Sequence, residues 1–494
     1  MERHRKTFLL LAIITIIGFL LRIYGLSYES IWYDEAFSVH SGKQTLSYIL
    51  NLRDTSPPLY YIMLHFVVKA LGISEFSVRL LSVFLGTISV YFLYLLGKEL
   101  FNNQAGISAA LILALSPLHV YYSQEARSYA LFFLLTLTSM YFYVLLGKKP
   151  NKTNLTIYLI SSTFLLYTHI YSVFIILAQN AHYFCKCKFR IKRLKIWIFL
   201  QIVILLIYLP WILSFRDIVA LKAYSWIPKP AFYVLLNILP YFFAGEAFSI
   251  SGILLTSSFL IMIVVILLNF HGIFSTKEKP LLLLLWFFIP IFIPFIFSLL
   301  FVPVFTLKYV IISSFPVYLI IGLYLSEAKF KKSLLAVIII FSASAIISQS
   351  MSIEKDDWKN ISKYLSANAD QNEPIIVIED YEALPLGYYY NAICFPQADI
   401  LNCVKGHNIY PAKDMNAIKN KKGNFWLILS NRNNRDKSKD EINNFVNQNY
   451  EVLSSKEFST MPKSKFYRTA YSFLKNKNMI SIEHSLIRVY HLKQ

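Results

Sequence analysis

Apolar stretches of about 18–20 residues recur along this chain with short basic connections between them, a pattern that excludes an ordinary soluble enzyme. With 56% hydrophobic and only 15% charged residues, the expected product is a polytopic α-helical membrane protein. The first stretch, Thr7 to Leu26, follows Met1-Glu2-Arg3-His4-Arg5-Lys6. It has no small-residue cleavage site and more apolar runs follow, so it reads as a retained first span rather than a signal peptide.

The formal net charge of +20 would suggest nucleic acid in a soluble protein. Here much of it lies in short loops, where positive charge sets orientation, and nucleic-acid binding is discounted. With the amino terminus in the cytoplasm, Ser27 to about Ser77 is an external loop. Spans then follow near Val78–Gly97, Gly106–Tyr122, Tyr129–Gly147, Leu155–Tyr167, Tyr171–Phe184, Ile196–Phe215, Ile253–Phe274, Leu281–Phe301, Tyr309–Leu325 and Ser333–Ser350. That makes about eleven transmembrane helices. Lys98, Lys148-Lys149, the loop Cys185–Lys195 and Lys329, Lys331 and Lys332 fall inside, as the positive-inside rule requires. Within the first loop, Leu59–Ala70 is apolar but short, with His65 and Lys69 on one face, and fits a helix lying in the interface.

This registry brings three polar islands to one external face: Asp34-Glu35, Glu125-Ala126-Arg127 and Thr306-Leu307-Lys308-Tyr309. Asp34 and Glu35 sit among Trp32, Tyr33 and Phe37, where a carboxylate suits proton abstraction from a hydroxyl. They could equally cap a helix or face water. Glu125 and Arg127 either form a polar cap on two spans or, through the planar guanidinium, neutralise a lipid phosphate. Lys308 reads first as a snorkelling anchor. Asp54-Thr55-Ser56-Pro57-Pro58 is a rigid turn, because tandem prolines fix φ. His169 reads as a hydrogen-bonded interfacial histidine.

From Met351 the composition turns polar. Asp356-Asp357-Trp358-Lys359 opens a helix, Pro374–Ile378 and Phe425–Leu429 read as buried strands, and Lys437–Val446 as a helix. The expected organisation is a membrane domain, 1–350, with external loops 27–77 and 123–129, followed by an extracytoplasmic α/β domain, 351–494. Asn431–Asp440 reads as a loop or frayed helix start. Cys394 and Cys403 would form a disulfide or remain thiols, while Cys185 and Cys187 lie in a basic loop. No Cys/His tetrad at zinc spacing and no Gly-rich phosphate loop occurs.

Four segments give the chain a family likeness: Trp32–Ser38, Asp54–Tyr61, Ser74–Leu80 and Ala114–Tyr129, continued more weakly by Tyr167-Thr168-His169, Lys308-Tyr309 and Asp357-Trp358-Lys359. In these it resembles the bacterial and archaeal relatives of dolichyl-phosphate-mannose:protein mannosyltransferases, the glycosyltransferase family 39 type within the GT-C superfamily. The resemblance implies transfer of a sugar, usually with inversion, from a polyprenyl-phosphate donor to an extracytoplasmic protein, glycan or lipid acceptor. It implies catalytic roles for Asp34, with Glu35 beside it, and for Glu125, which would orient the acceptor or Arg127. It also implies donor-phosphate contacts from Arg127, Lys308, Tyr309 and Arg79. Tyr33, Asp54, Gln124 and His169 are expected close by, for the acceptor or for structure. Ser56 stands where relatives often have His, and Lys308 where they have Arg, which loses the bidentate fork.

No cofactor is required on this view, because the leaving group is a phosphate monoester; a divalent metal is not obligatory, and no metal cage stands out. The expected partners are the lipid-linked donor, membrane lipids and the acceptor, with acceptor recognition as the task of the carboxyl-terminal domain. The plasma membrane is the expected site. The rivals are a flippase for a lipid-linked sugar, for which mid-span charges and repeated halves would be expected, and a scaffold protein.

Overall fold

The computed structural model describes residues 2–52, 54, 56–186, 191–220, 227–245, 278–328, 330–351, 355–370, 372–390, 408–419, 421–430, 439–459 and 486–493. The described helices, in chain order, begin with α1 (Glu2–Ile23), α2 (Tyr33–Lys43), α3 (Leu46–Leu50), α4 (Leu59–Leu71), α5 (Glu75–Leu100), α6 (Asn103–Ala114), α7 (Pro117–Ser123), α8 (Tyr129–Lys148) and α9 (Lys152–Leu166). They continue with α10 (Ser172–Lys186), α11 (Ile191–Ala220), α12 (Val234–Ala244), α13 (Glu278–Leu300), α14 (Ser314–Glu327), α15 (Lys331–Met351), α16 (Trp358–Asn368), α17 (Ala383–Tyr390) and α18 (Lys439–Asn449). A 3-10 turn, Leu307–Ser313, leads into α14.

Two compact units result. One comprises Met1–Tyr24, Asn51–Tyr60 and Arg79–Ser348; the other comprises Gly25–Leu50, Tyr61–Val78 and Gln349–Gln494. Most of the segment expected as an external loop therefore groups with the carboxyl-terminal residues, and it holds α2, α3 and α4, the last of which matches the helix expected over Leu59–Ala70.

The first unit is a helical membrane bundle. Six described segments are long and apolar enough to cross a bilayer: Arg5–Ile23, Glu75–Leu100, Tyr129–Lys148, Leu194–Leu213, Pro280–Leu300 and Leu307–Glu327. The expected span Gly106–Tyr122 is instead a pair, α6 and α7, bent by 61°. Ser116 caps α7 by accepting from the His119 amide, and Pro117 occupies its first turn, where its missing N–H costs nothing. The expected spans 155–167 and 171–184 are α9 and α10, of 15 residues each. At 1.5 Å per residue they reach roughly 22 Å, short of the ~30 Å hydrocarbon layer. The expected span Ile253–Phe274 lies outside the described residues.

Close backbone approach holds the bundle where small residues allow it. A Cβ on Gly322 of α14 would lie 2.6 Å from the Ala105 carbonyl oxygen of α6. Polar side chains connect neighbouring helices inside the bundle: Ser139 and Ser162 share a hydrogen bond of 2.9 Å, Gln179 donates to Ser139 at 2.9 Å, and Tyr158 donates to Gln179 at 2.9 Å.

In the second unit a five-stranded sheet runs in the order β2-β1-β3-β5-β4, with β1 (Ile375–Ile378), β2 (Ile409–Ala412), β3 (Phe425–Ser430), β4 (Glu451–Ser459) and β5 (Leu486–Lys493). The first three strands are parallel, and β5 and β4 add antiparallel. Strands β1 and β3 are buried on both faces, which is why they read as unbroken apolar runs. Trp358, Ile361 and Leu365 of α16 pack with Ile375, Val377, Trp426 and Ile428; Val446 and Tyr450 pack with Ile376, Ile378, Leu427 and Leu429. Residues 431–438 of the expected loop, and Cys187, Cys394 and Cys403, lie outside the described residues; Cys185 is an exposed thiol.

Candidate functional site

The polar groups of the membrane unit are set by the break after α6. Breaking a helix leaves its last carbonyls without amide partners. Arg22, fully buried at the end of α1, donates to Ala114 O at 3.1 Å and to Leu113 O at 3.2 Å, the latter also accepting from the Ser116 amide at 3.3 Å, and further to Gly18 O and Ser123 Oγ. The Gln124 amide donates to the carbonyls of Leu21, Arg22 and Tyr24, at 3.4, 3.1 and 2.8 Å. Four hydrogen bonds, one from Arg22 to Ser123 and three from Gln124, thus tie the turn 123–128 to the end of α1 and the residue that follows it. Ser82 of α5, hydrogen-bonded to Tyr60 at 3.0 Å, adds a bond of 3.5 Å to the Arg127 carbonyl. Glu125 and Arg79 are buried, and Arg127 and Asp54 are half-buried. Gln124 thus serves the structural side of its expected role.

His169 occupies the turn between α9 and α10. Its ring stacks on Phe132 at 4.7 Å and meets the Tyr309 ring edge-on at 4.8 Å. Nδ1 accepts from the Tyr171 amide at 3.2 Å, so the neutral ring carries its proton on Nε2. Burial pushes the imidazole down to about 3, and the positive charges of Arg127 and Lys308 push the same way. Residues from three separate turns are therefore brought together: Arg127, His169 and Lys308-Tyr309. Ser298 Oγ accepts from the amides of Val304 and Phe305, each at 2.9 Å, and Tyr171 donates to Val304 O at 2.9 Å, which fixes the approach to Lys308. The Lys308 ammonium lies 5.7 Å from the Tyr309 ring centroid.

In the second unit, Tyr33, Asp34 and Glu35 form the first turn of α2, where negative charge complements the helix dipole. The two carboxylates differ. Asp34 is half-buried, whereas Glu35 is fully buried and pairs with Lys355 Nζ at 3.1 Å. Tyr33 meets the Tyr381 ring edge-on at 5.3 Å. Tyr389 accepts from the Ile31 amide at 2.7 Å and donates to Glu75 at 2.7 Å. Lys359 pairs with the same Glu75 at 3.0 Å, and its amide donates to Ser30 Oγ at 3.2 Å.

Sequence reasoning gave no role to Arg22, Glu75, Lys355 or Tyr389. An arginine inside the first apolar run is a signal that it needs a buried acceptor set; the other three show none without the fold. Among the described residues, no three His, Cys, Asp or Glu side chains gather as a metal-binding group.

Residues 55–213 match the family model described as dolichyl-phosphate-mannose-protein mannosyltransferase. No curated protein matches the chain in sequence. Among solved structures, ArnT from Cupriavidus metallidurans bound to undecaprenyl phosphate superposes with a TM-score of 0.60 at 10% identity, over 90% of this chain and 96% of that one. This chain shares that fold. The apo form of the same ArnT gives a TM-score of 0.56 at 11% identity, over 92% and 97% of the two chains. The archaeal oligosaccharyltransferase AglB from Archaeoglobus fulgidus, in complex with an inhibitory peptide and a dolichol-phosphate, gives 0.54 at 11% identity, over 86% and 69%. The shared fold covers 92% of this chain in the match to apo ArnT, and so includes the helical bundle and most of the carboxyl-terminal residues.

Proposed function

We propose that this protein is a membrane glycosyltransferase that moves a sugar from a polyprenyl-phosphate donor to an acceptor hydroxyl on the extracytoplasmic side of the plasma membrane. The observation that carries the proposal is the convergence of Arg127 and Lys308 on the buried His169, from turns far apart in sequence. Two cations held in an apolar bundle suit a lipid phosphate. Likeness in fold to proteins whose structures hold undecaprenyl phosphate or a dolichol-phosphate supports the same donor class.

In the reaction, the acceptor oxygen attacks the anomeric carbon and the bond from that carbon to the phosphate oxygen breaks. The bonding pair leaves with the polyprenyl phosphate, and Asp34 takes the acceptor proton. General-base assistance of this kind contributes ~10²–10⁴-fold. Arg127, with Lys308 and Arg79, stabilises the charge that grows on the departing phosphate, where preorganised donors act most strongly. His169, neutral above about pH 3, offers its Nε2 proton as a hydrogen-bond donor without titrating at physiological pH. Attack opposite the leaving group gives inversion.

The test uses purified protein in lipid vesicles with a radiolabelled polyprenyl-phosphate hexose and membrane extract as acceptor. Label should move to the acceptor as an equal amount of polyprenyl phosphate is released. Movement of intact donor between leaflets with no bond cleavage would instead mark a flippase.

A further inference from the structure

Asp34 owes its position to residues far along the chain. Within the second unit, four of the six residues from Ser30 to Glu35 are gripped by side chains or backbone from the segment 355–389. The Lys359 amide reaches Ser30, the Tyr389 hydroxyl reaches the Ile31 amide, the Tyr381 ring meets Tyr33, and Lys355 pairs with Glu35. Glu75, just before α5 leaves this unit, is held by Tyr389 and Lys359 together. The strongest grip is the ion pair, with Lys355 and Glu35 side chains 5% and 0% exposed. It lies one residue from Asp34, on the same helical turn.

A buried pair of this kind is weak evidence for stability, because desolvation offsets much of the attraction. Its removal from one side is costly, because the remaining charge is then buried alone. What such a pair does secure is geometry: with Glu35 fixed in the first turn of α2, the adjacent Asp34 backbone is fixed as well. Trp32, the residue at the start of the helix, makes no side-chain cap to do this locally.

We propose that Lys355 is a positioning residue for Asp34, acting through Glu35, and that the segment 355–389 serves to hold the acid-bearing helix in register. This rests on the glycosyltransferase assignment with Asp34 as base. Loss of the pair lets the first turn of α2 shift, and a misplacement near 1 Å costs a base about 10²-fold in rate. Donor binding, which rests on Arg127 and Lys308, is left alone.

The experiment measures kcat and donor KM with the radiolabelled polyprenyl-phosphate hexose and membrane extract, for full-length wild type, Asp34→Asn, Lys355→Met, Lys355→Arg and the double variant Glu35→Gln/Lys355→Met. Each protein is first checked for a monodisperse elution profile. Lys355→Met should lose about 10²-fold in kcat with donor KM within about threefold of wild type. Lys355→Arg keeps the charge and should recover most of the loss. The double variant, which leaves no lone buried charge, should turn over about tenfold faster than Lys355→Met. If Lys355→Met does not fold, the double variant and Tyr389→Phe carry the test, each with lowered kcat and unchanged donor KM.

Wild-type kcat in Lys355→Met, or in both substitutes, overturns the positioning role while an inactive Asp34→Asn leaves the enzyme assignment standing. A double variant as inactive as Lys355→Met, folded and donor-competent, also overturns it, since Lys355 would then act other than through Glu35. An active Asp34→Asn overturns the assignment itself.

Discussion

At the scale of single residues, charge in an apolar bundle carries most of the meaning. If Arg127 offers its planar fork to the donor phosphate, as proposed, Arg127→Gln should lower transfer by about 10²–10³-fold, and Arg127→Lys should restore only part of it. Steady-state rates at saturating acceptor check this, and a Lys variant equal to wild type would contradict a bidentate contact. His169 makes a separate prediction. Its folded value of about 3 lies below the unfolded value near 6.5, so the folded protein resists a proton that the unfolded chain accepts. Stability is complete above about pH 6.5 and declines as pH falls toward 3. The thermal midpoint should therefore drop more between pH 7 and pH 5 in wild type than in His169→Phe; equal drops would count against a buried neutral imidazole. Asp34 and Arg127 stand out as candidates in the sequence because polar islands are conspicuous between apolar runs. Lys355 was not, because its partner Glu35 lies 320 positions away and nothing local to either marks the pair.

At the scale of elements, hydropathy located the long helices well. It missed the bend between α6 and α7, because Ser116-Pro117 lies inside a continuous apolar run and the 61° turn changes no residue's polarity. It also missed β4 and β5, whose mixed composition gives no unbroken apolar run of the kind seen in β1 and β3. The crossing of α6 with α14 depends on Gly322, where a Cβ would lie 2.6 Å from the Ala105 carbonyl oxygen and 2.9 Å from the Ala109 amide nitrogen. Gly322→Val should force the two backbones apart at a cost of about 1–3 kcal/mol. A thermal midpoint at or above that of wild type would show that the helices do not approach so closely. Arg22 serves the neighbouring element boundary, and Arg22→Met should destabilise the α6–α7 break by removing the guanidinium donor from the Ala114 carbonyl and leaving Leu113 O with the Ser116 amide.

At the scale of the whole molecule, the sequence divides naturally where polarity changes, near residue 350, whereas the folded chain groups 25–50 and 61–78 with 349–494. Composition reports where a segment can dissolve; it does not report which distant segment it packs against. That grouping is what supports the proposal that the segment 355–389 holds the acid-bearing helix α2, a task separate from the acceptor recognition expected of the carboxyl-terminal residues. The multi-pass bundle, the α/β sheet and the fold shared with ArnT agree with what the apolar runs and the four matched segments implied. The central claim is that Asp34 is the base of a sugar transfer. Its most direct test is transfer from a radiolabelled polyprenyl-phosphate hexose by wild type and Asp34→Asn, each reconstituted in lipid with donor affinity measured alongside. The account predicts transfer by wild type, and in the variant unchanged donor affinity with a loss of at least about 10²-fold in turnover. Equal turnover in the two proteins would contradict it.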